Sequence, residues 1–284
     1  MLHVMPDPHP FLALWRLSAP EPLKQEGHAH VWRVTRTDGT FAALKIFLPG
    51  RGGNERNAAA WHRRYARTGL CPAVLAETGD AVLYDWAPGD SLGDLFRAGE
   101  PDRADALLGQ VMAGLHAAPA DSAGPFVALR DYARALATFT PPGTFTAAQR
   151  ADMARAAELQ ATLLARTPPG SLRLLHGDLH HDNVLGAGDR WAAIDPKAVI
   201  GDIHFEPANA FRNPNGGRAA ALDPARIDRR ADLWAAALGL DRARLLDWAA
   251  AKCALSIAWT CADPAAALPQ DDLALLSVLL ARAG

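Results

Sequence analysis

Within eight consecutive positions, His176 to Asn183, the chain places three histidines, two aspartates and an asparagine, inside the stretch LLHGDLHHDNVL (174–185). Apolar residues flank the cluster on both sides, so it cannot be a free surface loop without leaving those flanks in water. Twelve residues after Asn183, a second apolar run, WAAIDP, ends on Asp195. A short glycine-containing turn lies between the runs, which predicts a hairpin bringing Asn183 and Asp195 together. The rest of the chain must fold so as to support this pair of segments.

Three chemistries compete for the cluster. His176, His180 and His181 with Asp178 and Asp182 could supply nitrogen and oxygen to a metal. Paired histidines on a metal, however, normally project from one face of a regular helix. Here Gly177 interrupts a strand-like run, and no cysteine is nearby. A polar loop whose histidines only satisfy backbone groups is the plainest alternative. The third is phosphoryl transfer. It needs an aspartate to accept a hydroxyl proton, an asparagine a few residues on to hold Mg²⁺, a second metal-binding aspartate at a neighbouring strand end, and a lysine on the phosphates. Asp178 and Asn183 stand five apart, the interval that chemistry uses, and Asp195 occupies the strand end.

Upstream, FAALKIF puts Lys45 in the middle of an apolar strand, where an isolated charge demands a partner. The next acidic residue after Asp38 is Glu55, at the start of the following helical segment, so Glu55 is the candidate partner. Only four of the 29 basic residues are lysine: Lys24, Lys45, Lys197 and Lys252. In so arginine-rich a chain a lysine hints that arginine would not serve. Lys197 is therefore expected near the phosphates or bracing the metal loop.

The order of elements is a small β-rich region followed by a helical one. HVWRVTRTDGTFAALKIFL (30–48) reads as a hairpin turning at Thr37-Asp38-Gly39. Asn54 is a plausible N-cap for a helix ending at Gly69, and a second hairpin turns at Gly79-Asp80. Helices are expected at about 101–118, 128–140, 146–166, and from about 222 to the end. This predicts an α+β, two-lobed fold, with a β-rich lobe over residues 1–87, a hinge at about 84–90, a mainly helical lobe over residues 88–284, and a ligand cleft between them.

HGDLHHDNVL and IDPKAVIGDIHFEPAN resemble the aminoglycoside phosphotransferase family of small-molecule kinases, in particular its streptomycin 6-phosphotransferase and hydroxyurea phosphotransferase branch. The matching residues are His176-Gly177-Asp178, Asn183, Asp195-Pro196-Lys197, and Gly201-Asp202 through Glu206, Ala208 and Asn209; LYDWAPGDSL (83–92) is similar to the family's hinge. The resemblance runs from about residue 25 to 262 and is strongest between 174 and 214. It implies a protein-kinase-like bilobal fold holding Mg²⁺ and ATP between the lobes, with transfer of the γ-phosphate to a hydroxyl of a small antibiotic-like molecule. Carried over, Asp178 becomes the catalytic base, Asn183 and Asp195 the Mg²⁺ ligands, and Lys45 the phosphate clamp held by Glu55. The hinge backbone of Asp85, Trp86 and Ala87 would meet adenine. Of a glycine-rich phosphate loop only Gly27 remains, in EGHAHVWRV.

Two features separate this chain from protein kinases. Position 177 is glycine rather than the arginine that pairs with a phosphorylated activation loop, and only ten residues lie between Asp195 and Glu206, too few for a peptide-docking segment. The C-terminal segment LLDWAAAKCALSIAWTCAD is apolar nearly all round. Trp248 and Trp259 lie on one face of it and are expected mainly in the core, or as aromatic walls for an acceptor. Glu206 is expected either in a structural ion pair with an arginine or as an acceptor contact, Asp263 either on the solvated surface or as an acceptor contact, and Asp202 as a structural cap.

A net charge of -2 and 21% charged residues give no reason to expect nucleic acid or membrane as partner. The N-terminus lacks a signal-peptide pattern, no apolar run is long enough to span a bilayer, and the three cysteines show no CxxC spacing, so a cytoplasmic location is expected. A metabolite kinase with a sugar, amino-acid or choline-like acceptor, a non-catalytic nucleotide-binding pseudokinase, and a histidine-rich metalloprotein are the competing functions.

Overall fold

Strand alternation builds the first lobe. The computed structural model describes residues 6–25, 29–48, 53–117, 122–187 and 190–283. After the short helix α1 (His9–Trp15), strands β1 (Ser18–Lys24), β2 (Ala29–Thr35) and β3 (Phe41–Phe47) form an antiparallel meander. Helix α2 (Ala58–Tyr65) then precedes the hairpin of β4 (Val74–Glu77) and β5 (Ala81–Asp85), giving a five-stranded sheet in the order β1-β2-β3-β5-β4. In β3 the even positions Ala42, Leu44 and Ile46 pack with Trp32, Val34 and Leu12 beneath α1. The odd positions Ala43 and Lys45 therefore face the other way, toward the second lobe, because successive strand residues alternate sides.

The second lobe is mainly helical. It contains α3 (Leu92–Arg97), α4 (Pro101–His116), the one-turn helices α5 (Leu129–Tyr132) and α6 (Arg134–Ala137), α7 (Ala147–Ala165), α8 (Arg218–Ala221), α9 (Pro224–Leu238), α10 (Arg242–Cys261) and α11 (Gln270–Leu280). Strands β6 (Val127–Ala128), β7 (Leu172–Leu175) and β10 (Val199–Asp202) form a small mixed sheet, and β8 (Val184–Ala187) with β9 (Arg190–Ala193) form a hairpin. Helix α10 is the lobe's axis: thirteen of its residues are buried, as its nearly unbroken apolar composition requires.

Three expectations need adjustment. The segment from Asn54 to Gly69 is a 3₁₀ turn (Gly53–Asn57), then α2, then a second 3₁₀ turn (Ala66–Thr68); Gly69 ends it with φ +67°. Such tighter turns are common at helix ends. The segment at 128–140 is not one helix but two single turns, broken at Ala133. The Gln160 side-chain amide donates to the Ala133 carbonyl at 3.2 Å, giving that group a partner outside a helical ladder. Third, α2 belongs to both lobes: Trp61 and Tyr65 join the large core of the helical lobe, and Tyr65 donates its hydroxyl proton to the Leu174 carbonyl.

Candidate active site

Lys45, Glu55, Lys197 and Asp195 close a ring of alternating charge under the sheet. Lys45 Nζ lies 2.6 Å from Asp195 Oδ1 and 2.9 Å from Glu55 Oε2, while Lys197 Nζ lies 2.9 Å from Glu55 Oε1 and 3.4 Å from Asp195 Oδ2. Burial works against charge on both carboxylates, but Lys45 first and Lys197 after it hold Asp195 far below the usual carboxylate range and Glu55 below its own. Lys197 is pushed up despite burial, by Asp195 first and by Asp178 and Glu55 as well. Asp195 sits in the left-handed region at φ +60°, an uncommon conformation for a residue with a side chain, which the fixed surroundings must hold in place.

The β8–β9 hairpin forms, pairing Val184 with Ala193, and Ile194 donates its backbone N–H to the Asn183 carbonyl at 2.9 Å. Asp195 thus follows directly beside Asn183. The Asn183 side-chain amide donates to the Asp178 carbonyl at 3.0 Å, which turns its own Oδ1 away from that carbonyl. Asp178 Oδ1 accepts from Asn209 Nδ2 at 2.8 Å.

The three histidines of the loop do not converge. His176 is fully buried, its Nε2 2.8 Å from the Ile194 carbonyl and its Nδ1 accepting from the Asp178 N–H; burial lowers its pKa. His180 Nδ1 accepts the Asp182 N–H, and His181 Nε2 lies 2.8 Å from Asp105 in a buried network with Arg226 and Arg230. Among the described residues no group of three or more His, Cys, Asp or Glu could hold a metal ion. Lining the cleft instead are the carboxylates of Glu55, Asp178 and Asp195 and the amide of Asn183, with Asn183 and Asp195 side by side at the end of the hairpin. An all-oxygen pair like this suits Mg²⁺, which takes one or two protein ligands and completes its shell with phosphate and water.

These groups line one cavity of about 680 Å³ between the lobes, together with Lys197, Ala43 and, where the chain leaves β5, Asp85, Trp86 and Ala87. The segment that follows is clamped from below: Gly89 donates its N–H to the Gly186 carbonyl at 3.0 Å, so close that a Cβ at 89 would lie 2.8 Å from Gly186 Cα. Gly27 lies outside the described residues.

Other candidates lie elsewhere. Glu206 is buried beneath the loop rather than facing the cavity: it accepts the N–H groups of His176 at 3.0 Å and Gly177 at 3.2 Å, and its partner is His116 at 3.0 Å, not an arginine. Trp248 is in the core, donating its indole N–H to Asp202 at 3.0 Å. Asp263 is exposed at the end of α10, accepting from Ala265 N–H. Trp259, by contrast, stands edge-on to Tyr132, whose hydroxyl donates to the Gly177 carbonyl at 3.4 Å. Lys252, to which the sequence pattern assigns no partner, donates to Asn209 Oδ1 at 3.0 Å. Its signal was present: one of four lysines, isolated in an apolar helix.

A β-roofed cleft above a helical lobe, with two lysines, two carboxylates and an amide at its base, is the architecture of a small-molecule kinase. A profile of the aminoglycoside/hydroxyurea antibiotic resistance kinase family matches residues 15–264. The chain is 33% identical over 283 residues to the hydroxyurea phosphotransferase of Kitasatospora aureofaciens, covering 96% of this chain and 78% of that one. It is 32% identical over 284 residues to the streptomycin 6-kinase of Streptomyces glaucescens, covering 93% and 85%. To the streptomycin 3''-kinase of Klebsiella pneumoniae it is 37% identical over 195 residues, covering 67% and 70%. A crystal structure of a thermostable mutant of aminoglycoside phosphotransferase APH(4)-Ia, in ternary complex with ADP and hygromycin B, shares the fold with TM-score 0.67 at 19% identity, over 96% of both chains. The chain belongs to the aminoglycoside/hydroxyurea antibiotic resistance kinase family, and is a phosphotransferase acting on a hydroxyl of a small molecule. No helix among the described residues is long and apolar enough to cross a membrane.

Proposed function

We propose that this chain transfers the γ-phosphate of Mg-ATP to a hydroxyl of an antibiotic of the streptomycin or hydroxyurea type. The observation that carries the reading is the convergence of Lys45, Asp178, Asn183 and Asp195 on one interlobe cavity. In this proposal residues 1–87 form the nucleotide lobe and 88–284 the acceptor lobe, joined at 84–90. Asp85, Trp86 and Ala87 lie where an adenine would meet the hinge, and the cleft-facing small residues Ala43 and Ala29 leave room for a flat base.

Lys45 holds the phosphates and is itself held by Glu55. Asn183 and Asp195 would hold Mg²⁺, which when bound supplies neutralisation of phosphate charge. Lys197 keeps the Asp195 carboxylate ionised and fixed in direction. Asp178 accepts the proton of the acceptor hydroxyl through the oxygen that Asn209 does not occupy. Most of the acceleration then comes from positioning and from preorganised charge. ATP as co-substrate places the work in the cytoplasm.

The test is Mg-ATP turnover with streptomycin, other aminoglycosides, hydroxyurea, and choline and sugar acceptors. Asp178→Asn keeps shape but removes the proton acceptor, and a loss of about 10²–10⁴ in kcat is expected, the usual contribution of a general base. Full phosphotransfer by that variant would overturn the assignment, and turnover confined to choline or sugars would replace the antibiotic with a metabolite.

A further inference from the structure

Resting on the phosphotransferase reading above, we infer that Lys252 is a positioning residue for the reaction, acting on Asp178 through Asn209. Three contacts form a directed relay. Lys252 Nζ donates to Asn209 Oδ1 at 3.0 Å, and Asn209 Nδ2 donates to Asp178 Oδ1 at 2.8 Å. Lys252 also donates to Ser256 Oγ at 2.9 Å and lies 4.9 Å from the centre of the Trp259 ring.

The chemistry of these groups fixes the direction. An ammonium can only donate and a carboxylate can only accept, whereas an asparagine amide can present either end. Between Lys252 and Asp178, Asn209 has one orientation that satisfies both neighbours, oxygen toward the lysine and nitrogen toward the aspartate. Replace the ammonium with a group that cannot donate, and the amide loses the contact that selects this orientation. Asp178 Oδ1 would then lose a steady donor, and its other oxygen its fixed aim at the acceptor.

The placement of Lys252 supports a role beyond packing. It is almost wholly buried, yet among the described residues it makes no ion pair with a carboxylate. The charged and titratable groups around it are Arg212 from the 3₁₀ turn at 208–212, Asp178 from the loop, Cys253 on its own helix and Asp272 on α11. Asp272 is itself bound by Arg212 and Arg218. Burial first and Arg212 second bring the lysine down to about 8, with Asp178 opposing them. A buried cation with only neutral partners is an expensive arrangement. Met or Leu would fill the same volume without that cost, and the relay to Asp178 gives the buried ammonium a use.

The experiment measures kcat and both KM values of the full chain with Mg-ATP and the acceptor that the wild type uses, for Lys252→Met, Asn209→Ala and the double variant. Loss of aim costs on the order of 10²-fold in kcat for Lys252→Met, with the KM for ATP held within about twofold, since the nucleotide contacts are untouched. The double variant is expected to be no slower than the slower single variant, because both break one relay. If Lys252→Met fails to fold, Asn209→Asp decides the matter. It preserves size and gives Lys252 an ion pair, so the melting temperature is kept or raised, yet it sets a carboxylate against Asp178 and lowers kcat. A folded Lys252→Met with kcat within about threefold of wild type, multiplicative losses in the double variant, or an Asn209→Asp enzyme of full kcat would each overturn the inference. Absence of wild-type transfer to every acceptor would instead overturn the kinase reading beneath it.

Discussion

Removing both lysines of the four-residue charge ring should cost more than the two single removals together, and should do so only while the carboxylates are ionised. In the ring, Glu55 and Asp195 each touch both Lys45 and Lys197 at 2.6 to 3.4 Å. Lys45→Met therefore leaves each carboxylate with Lys197, and Lys197→Met leaves each with Lys45. Each single variant loses contacts to charged groups and is expected to cost about 2 kcal/mol. In the double variant two half-buried carboxylates face each other with no cation, and the total should exceed the sum of the singles by about 1–3 kcal/mol. The sign with pH follows from the native shifts. Burial opposes ionisation, but Lys45 and then Lys197 leave both carboxyls below their ordinary values. Their stabilisation is thus present above the unfolded carboxylate pKa of about 4 and is lost as pH falls through the native values. Without the lysines, burial and mutual repulsion raise both pKa values, so the double variant gains stability as the pH falls. The stability gap between wild type and double variant must then shrink on acidification from pH 7 toward about 4.5. Urea unfolding at both pH values, with EDTA and no nucleotide, measures it. Additive single effects, or a gap that does not change with pH, would refute the ring as a coupled unit.

Two further substitutions probe the frame around the site. Gly177→Ala puts a side chain at φ +80° with its Cβ 2.9 Å from Val199 Cγ2, and is expected to lower stability by about 1–3 kcal/mol, read as a lower melting temperature. Trp248→Phe removes the indole donor to Asp202 while keeping the ring against Phe205; about 1–2 kcal/mol of unfolding free energy should be lost, with the acceptor KM unchanged, whereas a raised KM would make Trp248 an acceptor wall.

Much of the site was legible because its residues violate local expectation. A lysine inside FAALKIF and an aspartate ending WAAIDP are charges in apolar strands, and such charges must find each other. The strand period then predicts the face on which Lys45 emerges, and the short turn predicts that Asn183 and Asp195 are neighbours. Neither inference needs the tertiary structure. The partners of Glu206, Lys252 and Asp105 were not legible, since each is set by packing between elements 20 or more residues apart: Glu206 with His116, Lys252 with Asn209, Asp105 with Arg230. Position along the chain gives no periodic signal for such pairs. Glu206 takes the structural of its two expected places, though with His116 rather than an arginine as partner, and Asp263 lies on the surface.

The histidine cluster illustrates why proximity in sequence is weak evidence for shared chemistry. His176, His180 and His181 occupy one short loop, yet their rings point to the Ile194 carbonyl, the Asp182 amide and the Asp105 carboxylate. Each ties the loop to a different neighbour: the start of the metal-side segment, the loop's own 3₁₀ turn, and helix α4. Glu206 adds a fourth anchor, taking two loop N–H groups. In the proposed function this loop carries the proton acceptor, which would have to be held steady to within a fraction of an ångström, and so short a segment has few backbone hydrogen bonds of its own with which to do it. Burial lowers the pKa of His176 and brings that of His181 down to about 4, and both rings act as braces through the hydrogen bonds they make. The histidines of LLHGDLHHDNVL thus tie the loop that carries Asp178 and Asn183 to three different neighbours, and Asn209, itself held by Lys252, adds a contact to the Asp178 carboxylate.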